Sequence, residues 1–141
     1  MSPHSEFIAR WYEGLAEGDV EGLLRLFAAS PRIRNAAHTP VQGPQAARTY
    51  LEDFFGRTAQ RRFQLLSLAD GGTQVFAAWA AEIVFRKGVT VAGRSLSRDF
   101  MHKQRGIDWF TFDDGERVVE LEVVHETSSL LRALSEGDAF G

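Results

Sequence analysis

Cysteine is absent from this chain of 141 residues. Its absence excludes a disulfide framework, a thiolate metal site and a cysteine nucleophile. The sequence also lacks an apolar run near the roughly 20 residues that a membrane helix needs, and its first residues have neither the basic nor the apolar part of a signal peptide. We therefore expect a cytoplasmic protein that has no membrane partner.

Sequence patterns for metals, phosphates and nucleic acid are lacking too. The four histidines are far apart, and no His-x-x-x-His pattern, Gly-rich phosphate loop or nucleophile elbow occurs. The net charge of −3 gives no general attraction to nucleic acid. The sequence therefore predicts no metal, no cofactor and no nucleic-acid partner.

The apolar content of the chain is high and bulky. Hydrophobic residues make up 44% of the chain, and they include 11 Phe and 3 Trp. A chain of this length and composition can form one domain, over residues 1–141, with a substantial core. Large aromatic side chains can also line a cavity for a small hydrophobic molecule.

Apolar residues at helical spacing predict three helices in the first part of the chain. Helix-start and helix-stop residues place these helices within residues 2–18, 19–31 and 43–56, with Phe27 on the second helix. A short strand is expected at residues 32–35, followed by a loop over residues 36–42 that contains His38. The helices therefore precede most of the strands.

After Gly56 the apolar residues alternate with period two, which is typical of strands. The clear strands fall near residues 63–67, 73–86, 106–112 and 117–125. Residues 94–105 are less regular and rich in basic side chains, which favours a solvated edge strand or hairpin. A last helical turn is expected near residues 127–134. This order predicts the α+β class, with three N-terminal helices packed against a curved antiparallel sheet.

Asp108 lies within an aromatic strand and shares its side with Phe110. In the following strand, His125 shares its side with Leu121 and Val123. If the two strands pair as a hairpin, both polar residues face the enclosed side of the sheet. Burial there would raise the pKa of the Asp108 carboxyl, so that it could hold or donate a proton. An ordinary satisfied polar group is the competing interpretation for each residue.

Several short blocks match a known family, namely Phe7-Ile8-Ala9-Arg10, Glu17-Gly18-Asp19-Val20-Glu21, Phe27-Ala28, Gly43-Pro44-Gln45-Ala46 and residues 107–118. With these blocks the chain resembles the SnoaL-like and ketosteroid isomerase-like branch of the nuclear-transport-factor-2-like superfamily. The resemblance implies a cone-shaped, cystatin-like α+β barrel. It also implies a deep, mostly apolar pocket and a homodimer.

The resemblance assigns roles to individual positions. Asp108 matches the ketosteroid isomerase aspartic acid whose neutral carboxyl donates a hydrogen bond to the substrate oxygen. Two positions depart from the family's pattern: Asn35 stands in place of the general-base aspartate, and Trp11, next to Tyr12, in place of the oxyanion-hole tyrosine. His125 occupies an inward position that usually holds a large aromatic residue, and an imidazole there could exchange protons near neutral pH.

The resemblance implies a pocket for a small hydrophobic carbonyl compound, lined by Trp11, Tyr12, Phe54, Trp79 and Phe110. The candidate catalytic residues for cofactor-independent isomerisation or cyclisation are then Asp108, His125 and Asn35. For each aromatic residue, a plain core position is the competing interpretation. A non-catalytic ligand-binding or dimerising module and a protein-interaction module of the same fold are alternatives. An epoxide hydrolase ranks lower, because it would need paired carboxylates with an Arg.

Overall fold

The computed structural model describes residues 4–35, 38–91, 93–125 and 132. In this part of the chain there are three helices and eight strands. The helices are α1 (Ser5–Glu17), α2 (Val20–Leu24) and α3 (Pro44–Arg57). The strands are β1 (Phe27–Asn35), β2 (Val41–Gln42), β3 (Thr58–Asp70), β4 (Gln74–Phe85), β5 (Thr90–Val91), β6 (Arg94–Ser95), β7 (Phe100–Phe112) and β8 (Val118–His125).

Six of the strands form one sheet in the order β2-β1-β8-β7-β4-β3, whereas β5 and β6 form a separate short hairpin. β1 and β8 pair in parallel, and the other neighbours in the large sheet pair antiparallel. The predicted α+β class is confirmed, but the wholly antiparallel sheet is wrong at this one pair. A helix and several strands separate β1 from β8 in sequence, and a connection of that length can return the chain in the same direction.

The helix boundaries follow from the local sequence. α1 ends at Gly18, which adopts a left-handed conformation with φ of 72°. The Asp19 side chain then accepts a hydrogen bond of 3.0 Å from the backbone N–H of Gly22 and caps α2. α3 begins at Pro44, directly after Gly43. These three boundaries confirm the predictions that the capping residues gave.

The second helix is shorter than predicted and the first strand is longer. Phe27 begins β1 instead of completing the helix before it. β1 also passes through Pro31, which has no N–H to donate but whose carbonyl accepts a hydrogen bond of 2.8 Å from Gly43. The pairing of β1 with β8 shifts register between Phe27 and Arg32, so a bulge absorbs the irregular residues. The predicted loop over residues 36–42 likewise contains β2.

β7 begins at Phe100, well before the strand predicted at residues 106–112. It lies between β4 and β8, so the edge position predicted for residues 94–105 is wrong from residue 100 onwards. The exposed side chains of Lys103 and Arg105 alternate with inward ones, which leaves the basic groups on the solvent side of a central strand. The hairpin prediction fits β5 and β6 alone.

The helices cover the inner face of the sheet and leave the outer face exposed. On the inner face, Phe110 pairs with Leu121 and Asp108 pairs with Val123. The buried side chains of the helices pack against this face. Trp109 lies on the opposite, outer face. The predicted hairpin and the side on which Asp108 lies are therefore confirmed.

The C-terminal segment is described only at Arg132, which is helical. The helical turn predicted near residues 127–134 otherwise lies outside the described residues. Within the described ranges, none of the helices is long and apolar enough to cross a membrane. A cytoplasmic location stays a prediction.

Candidate functional site

Asp108 is buried on the inner face of β7, with 4% of its surface exposed. It is the only carboxylate among the buried residues of the described chain. The phenol of Tyr12, on α1, donates a hydrogen bond of 2.7 Å to its Oδ2. The contact forms because α1 packs across the inner face and turns Tyr12 toward the sheet.

Burial and hydrogen bonding compete over the charge of Asp108. Burial raises the pKa of its carboxyl to about 6, against the lowering effect of hydrogen-bond donors on Tyr12, Trp79 and Trp11. The carboxyl therefore changes charge much closer to neutral pH than an ordinary aspartic acid does. It can hold a proton and release it under mild conditions.

Three hydrogen-bond donors surround this carboxyl. Burial and the charge of Asp108 raise the pKa of Tyr12, so its phenol stays protonated and acts as a donor. The indole N–H groups of Trp11 and Trp79 also favour the charged carboxyl. Neither indole, however, makes a hydrogen bond of good geometry with a described group.

Gly106 fixes the position of Trp79. The two residues face each other across β4 and β7, and a Cβ atom at position 106 would collide with the indole ring. Glycine at this position lets the ring lie directly against the β7 backbone. The indole is thereby held close to Asp108, two residues further along the same strand.

A chain of hydrogen bonds forms a second polar group on the inner face. Nε2 of His125 lies 3.0 Å from Oδ1 of Asn35, and Nδ2 of Asn35 donates over 2.9 Å to the hydroxyl of Tyr50. Because an amide oxygen can only accept, Nε2 of His125 carries the proton and donates. Nδ1 is then an acceptor, and it is buried without a partner among the described groups. Burial lowers the pKa of His125, so the ring is neutral at pH 7.

The carboxyl of Asp108 and the imidazole of His125 both lie on the inner face of the sheet. Asp108 pairs with Val123 and His125 pairs with Gly106, so the two residues are diagonal neighbours on one face of the sheet, roughly 7–8 Å apart. Burial, and to a smaller extent the charge of Asp108, raises the pKa of Tyr50. Tyr50 therefore links the environment of the carboxyl to the hydrogen bonds of the imidazole.

His102 is a buried residue that the sequence reasoning did not select for the site. It lies on the inner face of β7 with 4% of its surface exposed. Its Nε2 is buried and has no hydrogen-bond partner in the part of the chain that the structure describes. The signal for it was present, because residues 102 and 108 are an even number apart and so share one side of a strand. The basic residues around it concealed this signal.

Five aromatic residues are predicted to line a pocket, namely Trp11, Tyr12, Phe54, Trp79 and Phe110. Three of them, Trp11, Tyr12 and Trp79, lower the pKa of the Asp108 carboxyl. Phe110 is fully buried and packs edge-on against Trp11 with 5.6 Å between ring centroids, so it belongs to the core. Phe54 lies half-buried on α3, 5.8 Å from the ring of Phe55. A deep pocket among these residues stays a prediction.

Two hollows adjoin the sheet among the described residues. A hollow of about 620 Å³ crosses β3, β4 and β7, and its lining includes the cross-strand row Arg62, Glu82 and Lys103. A smaller one, of about 230 Å³, is bordered by Asn35 and His38 near the end of β1. Asn35, which is bonded to His125, is one of its lining residues, but the lining also includes Arg34, Glu122 and Val124 from the solvent side of β1 and β8.

A family model described as a SnoaL-like domain matches residues 8–121 of the chain. The matched range contains Tyr12, Asn35 and Asp108, and it ends before His125. Comparison with curated proteins gives no match.

Solved structures with the same fold cover nearly the whole chain. A protein with a ketosteroid isomerase-like fold from Catenulispora acidiphila, in complex with trimethylamine, is 13% identical; the match covers 94% of this chain and 93% of that one, with a TM-score of 0.76. TerC, co-crystallised with polyporic acid, is 16% identical, with 95% and 99% covered and a TM-score of 0.74. SalBIII, an epoxide hydrolase/cyclase-like enzyme with a role in pyran ring formation in the polyether salinomycin, is 19% identical. The match covers 89% of this chain and 92% of that one, with a TM-score of 0.71. At these identities the likeness establishes the fold.

Proposed function

The chain belongs to the SnoaL-like domain family, and from this premise we propose that it is a cofactor-independent enzyme that moves protons within a small hydrophobic carbonyl compound. The product is an isomer or a cyclised form of that compound. The observation that carries the proposal is the buried carboxyl of Asp108, whose pKa burial raises to about 6. A general acid or base is most effective when its pKa lies near the working pH.

The proposed reaction uses the two polar groups of the interior. Protonated Asp108 donates a hydrogen bond to the carbonyl oxygen, and Nδ1 of His125 accepts a proton from the neighbouring carbon. As that C–H bond breaks, its electron pair forms the enol double bond and the oxygen takes the proton of Asp108. The carboxylate left behind is stabilised by the Tyr12 donor. Asn35 orients the imidazole through its bond to Nε2. His125 then returns its proton to a different carbon while the enol oxygen gives its proton back to the Asp108 carboxylate, and this restores the carbonyl and completes an isomerisation.

Proton transfer can be measured without the natural substrate. Cyclic ketones in D₂O exchange the hydrogens next to their carbonyl, and NMR follows this exchange. We expect the protein to accelerate exchange for at least one ketone of a panel, and Asp108→Asn and Asp108→Ala to slow it by about 100-fold or more. Asp114→Asn is the matched control, because Asp114 is exposed in the turn between β7 and β8. An Ala variant as active as the original protein would sink the proposal.

A non-catalytic ligand-binding module is the second candidate. The feature that favours it is Asn35, which cannot act as a base and is bonded to both Tyr50 and His125. Such a module would bind a cyclic ketone without accelerating its exchange. Saturable binding together with an exchange rate equal to that of buffer alone would therefore support this candidate over the enzyme.

Opening of an epoxide with water ranks lower than either candidate. That reaction would need paired carboxylates with an Arg, whereas Asp108 is the single buried carboxylate in the described ranges. The likeness to SalBIII is at 19% identity, so it supports the fold and not this reaction.

We also propose that two copies of the chain pair through the outer face of the sheet. Four large apolar side chains on that face are between 40% and 51% exposed, namely Phe76, Met101, Ile107 and Val124. On the same face, the ring of Phe76 stacks on that of Trp109 with 5.3 Å between their centroids. Exposed apolar patches of this kind mark interaction surfaces, and a second copy presents the same patch.

A further inference from the structure

Arg61 connects three elements of the fold through one side chain. It lies on the inner side of β3, where it pairs with the buried Ile83 of β4. Its Nε donates a hydrogen bond of 2.7 Å to the carbonyl oxygen of Leu15, near the end of α1. Its Nη1 donates to the carbonyl and hydroxyl oxygens of Thr58, the residue that follows α3, over 3.0 and 2.7 Å. Because the guanidinium also lies 4.7 Å from the centre of the Phe55 ring, it holds α1 against both α3 and β3.

The bond from Arg61 reaches the end of α1 at which backbone carbonyls need partners from outside the helix. The last four carbonyls of an α-helix have no donor within the helix itself. The carbonyl of Gly14 accepts from the backbone N–H groups of Gly18 and Asp19. The carbonyl of Leu15 accepts from Arg61. A cation at this end of a helix is also favoured by the helix dipole, so Arg61 supplies the missing donor and fixes the end of α1.

α1 carries two of the three hydrogen-bond donors that surround the carboxyl of Asp108. Tyr12 donates over 2.7 Å, and the indole of Trp11 acts in the same direction. Only the third donor, Trp79, comes from another element, namely β4. Leu15 lies about one helical turn from both α1 donors. A displacement of α1 at Leu15 would therefore move both of them relative to the carboxyl.

The next inward residue of β3 contacts the same helix. Phe63 lies on the side of β3 that Arg61 occupies, and its ring is 5.6 Å from that of Tyr12. Two successive inward side chains of one strand thus contact α1, one at Leu15 and one at Tyr12. We propose that Arg61 is a positioning residue that holds Tyr12 in contact with Asp108. The inference rests on the proposed function, in which Asp108 is the reacting acid, but the contact can be measured without turnover.

The proposal can be tested with Arg61→Met, which keeps an apolar stem and removes the hydrogen bonds to Leu15 and Thr58. Loss of the Tyr12 donor should raise the pKa of Asp108 by about one pH unit, the effect of one hydrogen bond to a charged group. ¹³C NMR of the carboxyl in the full chain measures this pKa. Because Arg61 is proposed to act through Tyr12, the same substitution in a Tyr12→Phe background should raise the pKa by less than about half as much.

Arg48→Met is the matched control for the loss of a cation that joins two elements. Arg48 on α3 forms an ion pair of 2.6 Å with Glu21 on α2, so its substitution should leave the pKa of Asp108 in place. The other ionisable groups near this carboxyl are His125 on β8 and Tyr50 on α3. Both are unchanged in every variant.

Arg61→Lys is the milder variant, because it keeps the charge but not the planar fork that reaches both Leu15 and Thr58. It should also raise the pKa of Asp108. The proposal is overturned if the folded variants leave this pKa unchanged. It is equally overturned if Arg61→Met raises the pKa as much in the Tyr12→Phe background as in the original protein, because the lost charge would then be the cause.

Ketone exchange is measured separately in the same variants. Where exchange is observed, its pH profile should move to higher pH together with the pKa of Asp108. Absent exchange together with a Tyr12-dependent rise of this pKa contradicts the proposed enzyme and leaves the role of Arg61 standing.

Discussion

The ionised carboxyl of Asp108 works against folding. Burial raises its pKa from an ordinary value of 3.8 to about 6. Between these two pH values the folded chain binds more protons than the unfolded chain, so stability falls as the pH rises. Above about pH 6 the loss is complete, and it amounts to at most about 3 kcal/mol. This residue therefore lowers stability at neutral pH, a trade that is common at functional sites.

Asp108→Asn should stabilise the protein at pH 7.5 and much less at pH 4. The amide carries no charge to bury, and its oxygen can still accept the hydrogen bond from Tyr12. The expected gain in the free energy of unfolding at pH 7.5 is up to about 3 kcal/mol. Urea unfolding at both pH values measures it. The exposed Asp114→Asn should show no comparable gain. A gain for Asp108→Asn that is equal at both pH values would show that the carboxyl charge is not its cause.

At the level of the elements, the packing of β7 against β4 depends on Gly106. A Cβ atom at this position would lie 2.7 Å from the carbonyl oxygen of Val124 and would collide with the ring of Trp79. Gly106→Ala should therefore lower the free energy of unfolding by about 1–3 kcal/mol. Displacement of the Trp79 donor should also raise the pKa of Asp108 above its present value. Chemical denaturation measures the first effect, and ¹³C NMR of the carboxyl measures the second.

Gly56→Ala is the matched control for this substitution. Gly56 lies in α3, and no heavy atom is within 4 Å of the position that its Cβ would take. Alanine in a helix is more favourable than glycine by about 1 kcal/mol, so this variant should be slightly more stable than the original protein. Equal stability of Gly106→Ala and Gly56→Ala would show that the indole has room to move.

Helices and strands whose apolar residues recur at regular spacing could be predicted from the sequence. Elements in which this spacing is interrupted could not. The patterns within residues 106–112 and 117–125 predicted which sides of the two strands meet, because Glu120 and Glu122 mark the water-facing side of the second strand and leave Leu121 to face Phe110. β1 was missed in part, since Pro31 and the register shift between Phe27 and Arg32 break its alternation. The parallel pairing of β1 depends on long-range return of the chain, which local patterns do not encode.

The site was predictable to the extent that it follows strand parity. Asp108 could be placed because it is polar on an otherwise apolar side of its strand. His102 follows the same parity, but the exposed Lys103 and Arg105 around it make that segment resemble a solvated edge. The indole donors of Trp11 and Trp79 come from α1 and β4. Their convergence on one carboxyl depends on tertiary packing and has no local signature.

For the whole molecule, the contrast between the two faces of the sheet carries the last prediction. The helices bury the inner face, whereas the outer-face neighbours Ile107 and Val124, which pair across β7 and β8, are exposed. A twofold axis through this patch would place each such residue near its own copy. Charged residues such as Glu82 and Lys103 lie on the same side and would form a polar rim.

Ile107→Lys should convert a dimer into a monomer, because it would place an unpaired charge inside the interface. The matched control is Leu65→Lys. Leu65 is as exposed as Ile107, at 43%, but it pairs with Trp79 and so belongs to the inner side of the sheet. Light scattering after size-exclusion chromatography should give twice the chain mass for the original protein and for Leu65→Lys, and the single-chain mass for Ile107→Lys. A monomeric original protein, or a dimer that Ile107→Lys leaves intact, would rule out pairing through this face.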